Sequence, residues 1–155
     1  MRPITNIIIH CSASAFGNTN IIRKWHTEPP RGWKDIGYHF IILNGNVDPD
    51  NNIDFYTLDG MIECGRQLND DGFIDDVELG AHALGYNASS VGICLIGDKA
   101  FSPDQFNALQ RLVKELMQKW NLPKEAILGH CETDFGKAQG KTCPNFDMNW
   151  LRGKL

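Results

Sequence analysis

The chain has 155 residues, 42% hydrophobic and 22% charged, enough for one domain with a full core and no disulfide staples. Its formal net charge of -4 excludes a nucleic-acid surface built on clustered basic charge. The five cysteines are odd in number and irregularly spaced, which points to a reduced compartment during synthesis rather than a disulfide framework.

Residues 5–10 predict a first strand, three isoleucines followed by His10. This run is too short and too polar for a signal peptide, and nothing later is long enough to span a bilayer. The expectation is a protein made in soluble form, monomeric, with no membrane partner. Asn18 or Thr19 caps a helix over 19–27, with Ile21, Ile22 and Trp25 at helical spacing. Adjacent prolines make "EPPRGW" a loop. "GYHFIILNG" predicts a strand ending in an Asn44-Gly45 turn. Residues 46–59, rich in Asp and Asn, read as an insertion at a hairpin tip, and "GMIECGR" returns from it as a strand. "DPDNNID" places acids and amides at alternate positions from Asp48, and Asp59 falls where a calcium loop ends. Ile53, however, stands where such a loop needs glycine.

"VGICLIG" (91–97) predicts a further buried strand. The helix after it has the strongest start signal in the chain, with Ser102 as cap, Pro103 at the first turn and Gln105 completing a capping box. Phe106, Leu109, Leu112, Val113, Leu116 and Trp120 form one apolar stripe along it, a core face. "AILGH" (126–130) is a short strand, and a last helix follows Asp147. Interleaved strands and helices without repeats predict one α/β domain over residues 1–155, a central mixed sheet flanked by helices.

Two strands end in histidine, His10 and His130, and ligands collect at the carboxyl ends of strands in open α/β sheets. In "GKTCPNFD" a proline restricts Cys143 to extended backbone, which sets Lys141 on the same side as the sulfur. A nearby lysine or a metal lowers a thiol pKa. Two histidines and a cysteine from three segments are a zinc set of the open type, three ligands plus water. A closed site would need Cys11 or Cys131 as a fourth ligand. Neighbouring strand residues face opposite sides, which disfavours Cys11, and Cys131 too if its strand continues.

With "IIIHCSAS", "WKDIGYHFII", "GAHALGYNASSVGICLIG", "GH" and "KTCPNFD" in motif order, the chain resembles the zinc-dependent type 2 N-acetylmuramoyl-L-alanine amidases. That family includes the amidase-type phage lysozymes and the peptidoglycan recognition proteins. The likeness runs from about residue 5 to about 150. It implies a zinc cleft at the strand ends, held by His10, His130 and Cys143, with Tyr38 and Lys141 catalytic. The implied substrate is peptidoglycan, cut between N-acetylmuramic acid and L-alanine by a phage- or prophage-type endolysin. Such an enzyme reaches the wall after release or by another route of export. His82, Trp33, Asn87 and Arg66 are candidates to meet substrate; for Arg66 a surface ion pair is an equal alternative. His26 and His39 read as structural, and Cys11, Cys64, Cys94 and Cys131 as core or bystander thiols. The segment between His130 and Cys143 is longer than in the phage enzymes, so Lys137 is an alternative to Lys141. A non-catalytic peptidoglycan binder and a zinc peptidase acting within the stem peptide are the competing functions.

Overall fold

The computed structural model describes residues 1–48, 50 and 56–155. In chain order the elements begin with β1 (Arg2–Pro3), β2 (Asn6–Cys11), α1 (Thr19–Thr27), β3 (Phe40–Asn44) and β4 (Asp59–Cys64). They continue with β5 (Phe73–Ile74), β6 (Ser90–Leu95), α2 (Pro103–Trp120), β7 (Ile127–Gly129), α3 (Asp134–Ala138) and α4 (Met148–Lys154). The main sheet runs β4-β3-β6-β2-β7. Strand β2 is parallel to β6 and β7, β3 is parallel to β6, and only the β3–β4 hairpin is antiparallel. This is the expected mixed sheet with helices around it.

The isoleucine run is explained by position. Strand β2 has neighbours on both edges and is covered on both faces, so Ile7, Ile8 and Ile9 are all fully buried, as doubly covered parallel strands require. Alternation then sorts the layers. Ile7, Ile9, Ile93, Leu95 and Ile127 pack with Leu109, Leu112, Val113 and Leu116 of α2 and Leu151 of α4. Each such side chain contributes about 1.5–3 kcal/mol through burial. The opposite layer joins Ile41 and Cys94 to Ile22 of α1 and Ile36. His10 pairs in register with Cys94 and therefore belongs to this second face.

Both main helices start as expected. Asn18 Oδ1 accepts from the Ile21 N–H at the head of α1, and Ser102 and Gln105 exchange both capping-box bonds. Gln105 is fully buried, and its amide donates to the Ile96 and Ile42 carbonyls. Of the expected α2 stripe, Phe106 departs: it meets Phe101, Phe146 and Trp150 edge-on at the surface. The calcium question falls mostly on residues 49 and 51–55, outside the described residues; Asp59 accepts a 2.6 Å hydrogen bond from the Ser102 hydroxyl. The β1–β5 pair and α3 were not anticipated. Among the described residues, no helix is long and apolar enough to cross a membrane.

Candidate active site

His10 is the penultimate residue of β2. Because Ile9 enters the α2 core, His10 projects from the other face, where it is 1% exposed. Its Nε2 lies 3.0 Å from Nδ1 of His82. His82 rests on β6 at a point that only glycine permits: a Cβ on Gly92 would lie 2.6 Å from the His82 ring. The turn carrying His82 is held by Asn87, whose Oδ1 accepts from the N–H groups of His82 and Ala83, both at 2.8 Å.

His130 follows the last residue of β7. The strand ends at Gly129 and His130–Glu132 forms a 3-10 turn, so strand alternation does not apply to Cys131. The Thr133 hydroxyl donates to the His130 carbonyl at 2.8 Å and caps α3 by accepting from Gly136 N–H at 3.0 Å. A Cβ on Gly136 would sit 1.9 Å from that same carbonyl oxygen, so glycine alone lets α3 approach. Glu132 accepts from Gly129 N–H and from a two-pronged Arg152. The Cys131 N–H then donates to the Cys143 carbonyl at 2.9 Å, tying the third segment to the second. The Cys143 sulfur accepts from the Cys11 N–H at 3.1 Å.

These supports bring one donor atom each of His10, His130 and Cys143 to within 4.8 Å of one another, with His10 Nδ1 and the Cys143 sulfur 3.9 Å apart. Tetrahedral zinc with ordinary bond lengths needs donors about 3.3–3.7 Å apart, so small side-chain rotations suffice and the group fits a single metal ion. Cys11 and Cys131 are outside it. Burial, then repulsion from His82 and His130, pushes the His10 pKa well below the usual histidine value. Burial followed by Lys141 lowers that of His130. Both rings are thus neutral, the state in which imidazole binds metal. A hydrogen bond between the thiols splits the Cys11–Cys143 titration, lowering Cys11 to about 7 and raising Cys143.

The three donors line a cleft of about 710 Å³ together with Tyr38, Lys141 and Trp33. The Tyr38 ring centroid is 5.1 Å from that of His10. Burial raises its pKa well above the usual phenol value, so the hydroxyl keeps its proton and can donate.

A family model described as N-acetylmuramoyl-L-alanine amidase matches residues 1–146. The chain belongs to this family. It is an enzyme of that class, an N-acetylmuramoyl-L-alanine amidase. The endolysin of Escherichia phage T7 is 34% identical, across 96% of this chain and 87% of the relative. The endolysin of Enterobacteria phage K11 is 33% identical, across 97% and 87%. Among solved structures, the N-acetylmuramoyl-L-alanine amidase LysC from Clostridium intestinale superposes with a TM-score of 0.72 at 25% identity, covering 99% of this chain and 85% of LysC. A Drosophila peptidoglycan recognition protein, PGRP-LB, solved with tracheal cytotoxin, gives 0.64 at 28% identity, covering 93% and 76%.

Within the amidase cleft the remaining expected residues separate. Trp33 lines it and packs on His26, ring centroids 4.7 Å apart. His82 also lines the cleft, though it is buried and its Nδ1 faces His10. Asn87 is occupied in shaping the His82 turn. Arg66 Nε donates to the Ile36 carbonyl at 3.1 Å and lies 4.0 Å from Asp35, the ion-pair alternative, away from the cleft. Lys137 lines a separate depression with Glu132 and Arg152, which leaves Lys141 as the cleft lysine of that segment. His39 bridges the Glu78 carbonyl and the Gly92 N–H, and His26 accepts from the Gly37 N–H. Sequence reasoning missed the His10–His82 pair. Its one signal was Gly92, a glycine inside a buried strand, where another group approaches closely.

Proposed function

We propose that this amidase is a zinc enzyme of the endolysin type that cuts the amide between the lactyl group of N-acetylmuramic acid and L-alanine in peptidoglycan. The observation that carries the reading is the group of His10, His130 and Cys143, three donors on one wall of the cleft within 4.8 Å of one another. When bound there, zinc supplies an electrophile that polarises a carbonyl and acidifies water near neutral pH.

The protein's own residues do the rest. His10 must present an unprotonated Nδ1, which places its proton on Nε2 for donation to His82 Nδ1. His82 then carries its proton on Nε2, facing Ser90 Oγ at 3.5 Å, and the Ser90 hydroxyl donates to the Tyr86 carbonyl at 2.8 Å. These tautomers follow from the network, which runs in one direction and holds the ring still. Hydrolysis adds water across the amide: the carbonyl carbon gains hydroxyl and the departing nitrogen gains a proton. Tyr38 donates a hydrogen bond toward the carbonyl oxygen as negative charge builds there, and the Lys141 ammonium opposes that charge.

The test is digestion of purified sacculi followed by mass spectrometry. Free stem peptides beside glycan strands with unsubstituted muramic acid are expected, lost on chelation and restored by zinc. Shortened stems still attached to the glycan would establish a peptidase instead, and unchanged sacculi that retain the protein would establish a binder.

A further inference from the structure

The end of β2 sets a second thiol beside the metal group. Cys11 follows His10 and is buried, yet it lines the same cleft as the half-buried Cys143. The Cys143 sulfur accepts from the Cys11 N–H at 3.1 Å and lies 3.9 Å from the Cys11 carbonyl oxygen. The two thiols are hydrogen-bonded to each other. Asn145 donates from its side-chain amide to the Cys11 sulfur at 3.6 Å and to the Asp98 carbonyl at 2.8 Å, which holds that sulfur toward the turn carrying Cys143. The remaining thiols lie elsewhere. Cys94 is fully buried in the sheet, and Cys64 is exposed on the edge strand β4. Cys131 feels the charges of Glu132, Arg152 and Lys137, which line the separate depression.

Two thiols held in contact exchange readily with an external disulfide. Resting on the zinc reading above, we infer that Cys11 and Cys143 form a redox switch, in which a small-molecule disulfide oxidises them to one intramolecular bond and withdraws Cys143 from the metal group. One sulfur of the pair attacks the external disulfide, whose S–S bond breaks, and a mixed disulfide forms as the first thiol leaves. The other sulfur attacks the bound one and expels the second thiol. The pair gives up two electrons and two protons, and the external disulfide becomes two thiols. A metal takes the thiolate as its ligand, which the bridged sulfur no longer supplies, so zinc and the bridge exclude each other. Oxidising surroundings such as the bacterial periplasm favour disulfides. The pair thereby limits how long the enzyme keeps its metal after leaving a reduced compartment.

The test places the whole chain, first fully reduced, in a buffer of reduced and oxidised glutathione, with and without added zinc. Without added zinc, intact mass is expected to fall by two hydrogens, and peptide mapping should find Cys11 joined to Cys143. Bound zinc should be lost in parallel and recovered after dithiothreitol, and excess zinc should slow the bridging. Cys11→Ser lacks the second sulfur that makes ring closure intramolecular, so it should keep its zinc in the same buffer. A bridge between other cysteines, zinc retained on the bridged chain, or equal zinc loss from Cys11→Ser overturns the switch. A reduced chain that binds no zinc refutes the zinc reading and the switch with it. A reduced chain that binds zinc yet never joins Cys11 to Cys143 refutes the switch alone.

Discussion

The His10–His82 contact predicts what happens when the supporting ring is removed. In His82→Ala the His10 Nε2–H loses its acceptor at 3.0 Å in a site where His10 is 1% exposed. An unsatisfied buried donor costs about 1–3 kcal/mol, which through tenfold per 1.4 kcal/mol gives metal binding weaker by about 5- to 150-fold. Loss of an outer partner of a ligating histidine independently suggests a factor of about 10–100, and the two estimates overlap. Water entering the space left by the ring would satisfy part of the donor and move the result toward the lower end. The assay is competition for zinc against a chromophoric chelator. Thermal unfolding of the metal-free proteins separates an effect on metal from an effect on folding. Zinc affinity within twofold of the natural chain, in a variant that folds normally, would refute the reasoning.

Other predictions follow from the same site and its surroundings. Lys141→Ala is expected to keep zinc and lose roughly 10²–10³ in kcat, as oxyanion stabilisers do; unchanged turnover on muropeptides would remove the lysine from the mechanism. Cys143→Ser exchanges a thiolate for a weak hydroxyl donor, and metal analysis of the purified variant should show substoichiometric zinc. His26 and His39 are held neutral, each lowered to about 4, chiefly by burial, whereas in the unfolded chain they protonate below about 6.5. The unfolded state therefore binds more protons between those values, and stability falls as pH drops through that window, by up to about 1.4 kcal/mol per pH unit for each ring. Urea unfolding with chelator present should show about 2–4 kcal/mol lost between pH 7 and pH 5 from these two rings, with a further loss from His10, His82 and His130, which are lowered in the same direction, and with a shallower slope in His39→Gln. A stability independent of pH across that range would contradict the burial of neutral histidine.

Local pattern in the sequence determined a good deal of this protein. The Ile7–Ile9 run, the capping box at Ser102 and the prolines after α1 act over a few residues, and the elements they specify are where they were expected. His10, His130 and Cys143 were legible because strand ends and a following proline limit where those side chains can point, and the family resemblance joined them. Tertiary structure alone decided which residues support that group. His10 and His82 are 72 positions apart, and nothing in either segment announces the other until β6 lies between β2 and β3 with Gly92 beneath the ring. Tertiary packing likewise set Arg66 Nε against the Ile36 carbonyl and Asp35, and Asn87 Oδ1 against the His82 turn. Periodicity and capping are properties of neighbours along the chain, whereas the partner of a polar atom is set by packing between distant segments.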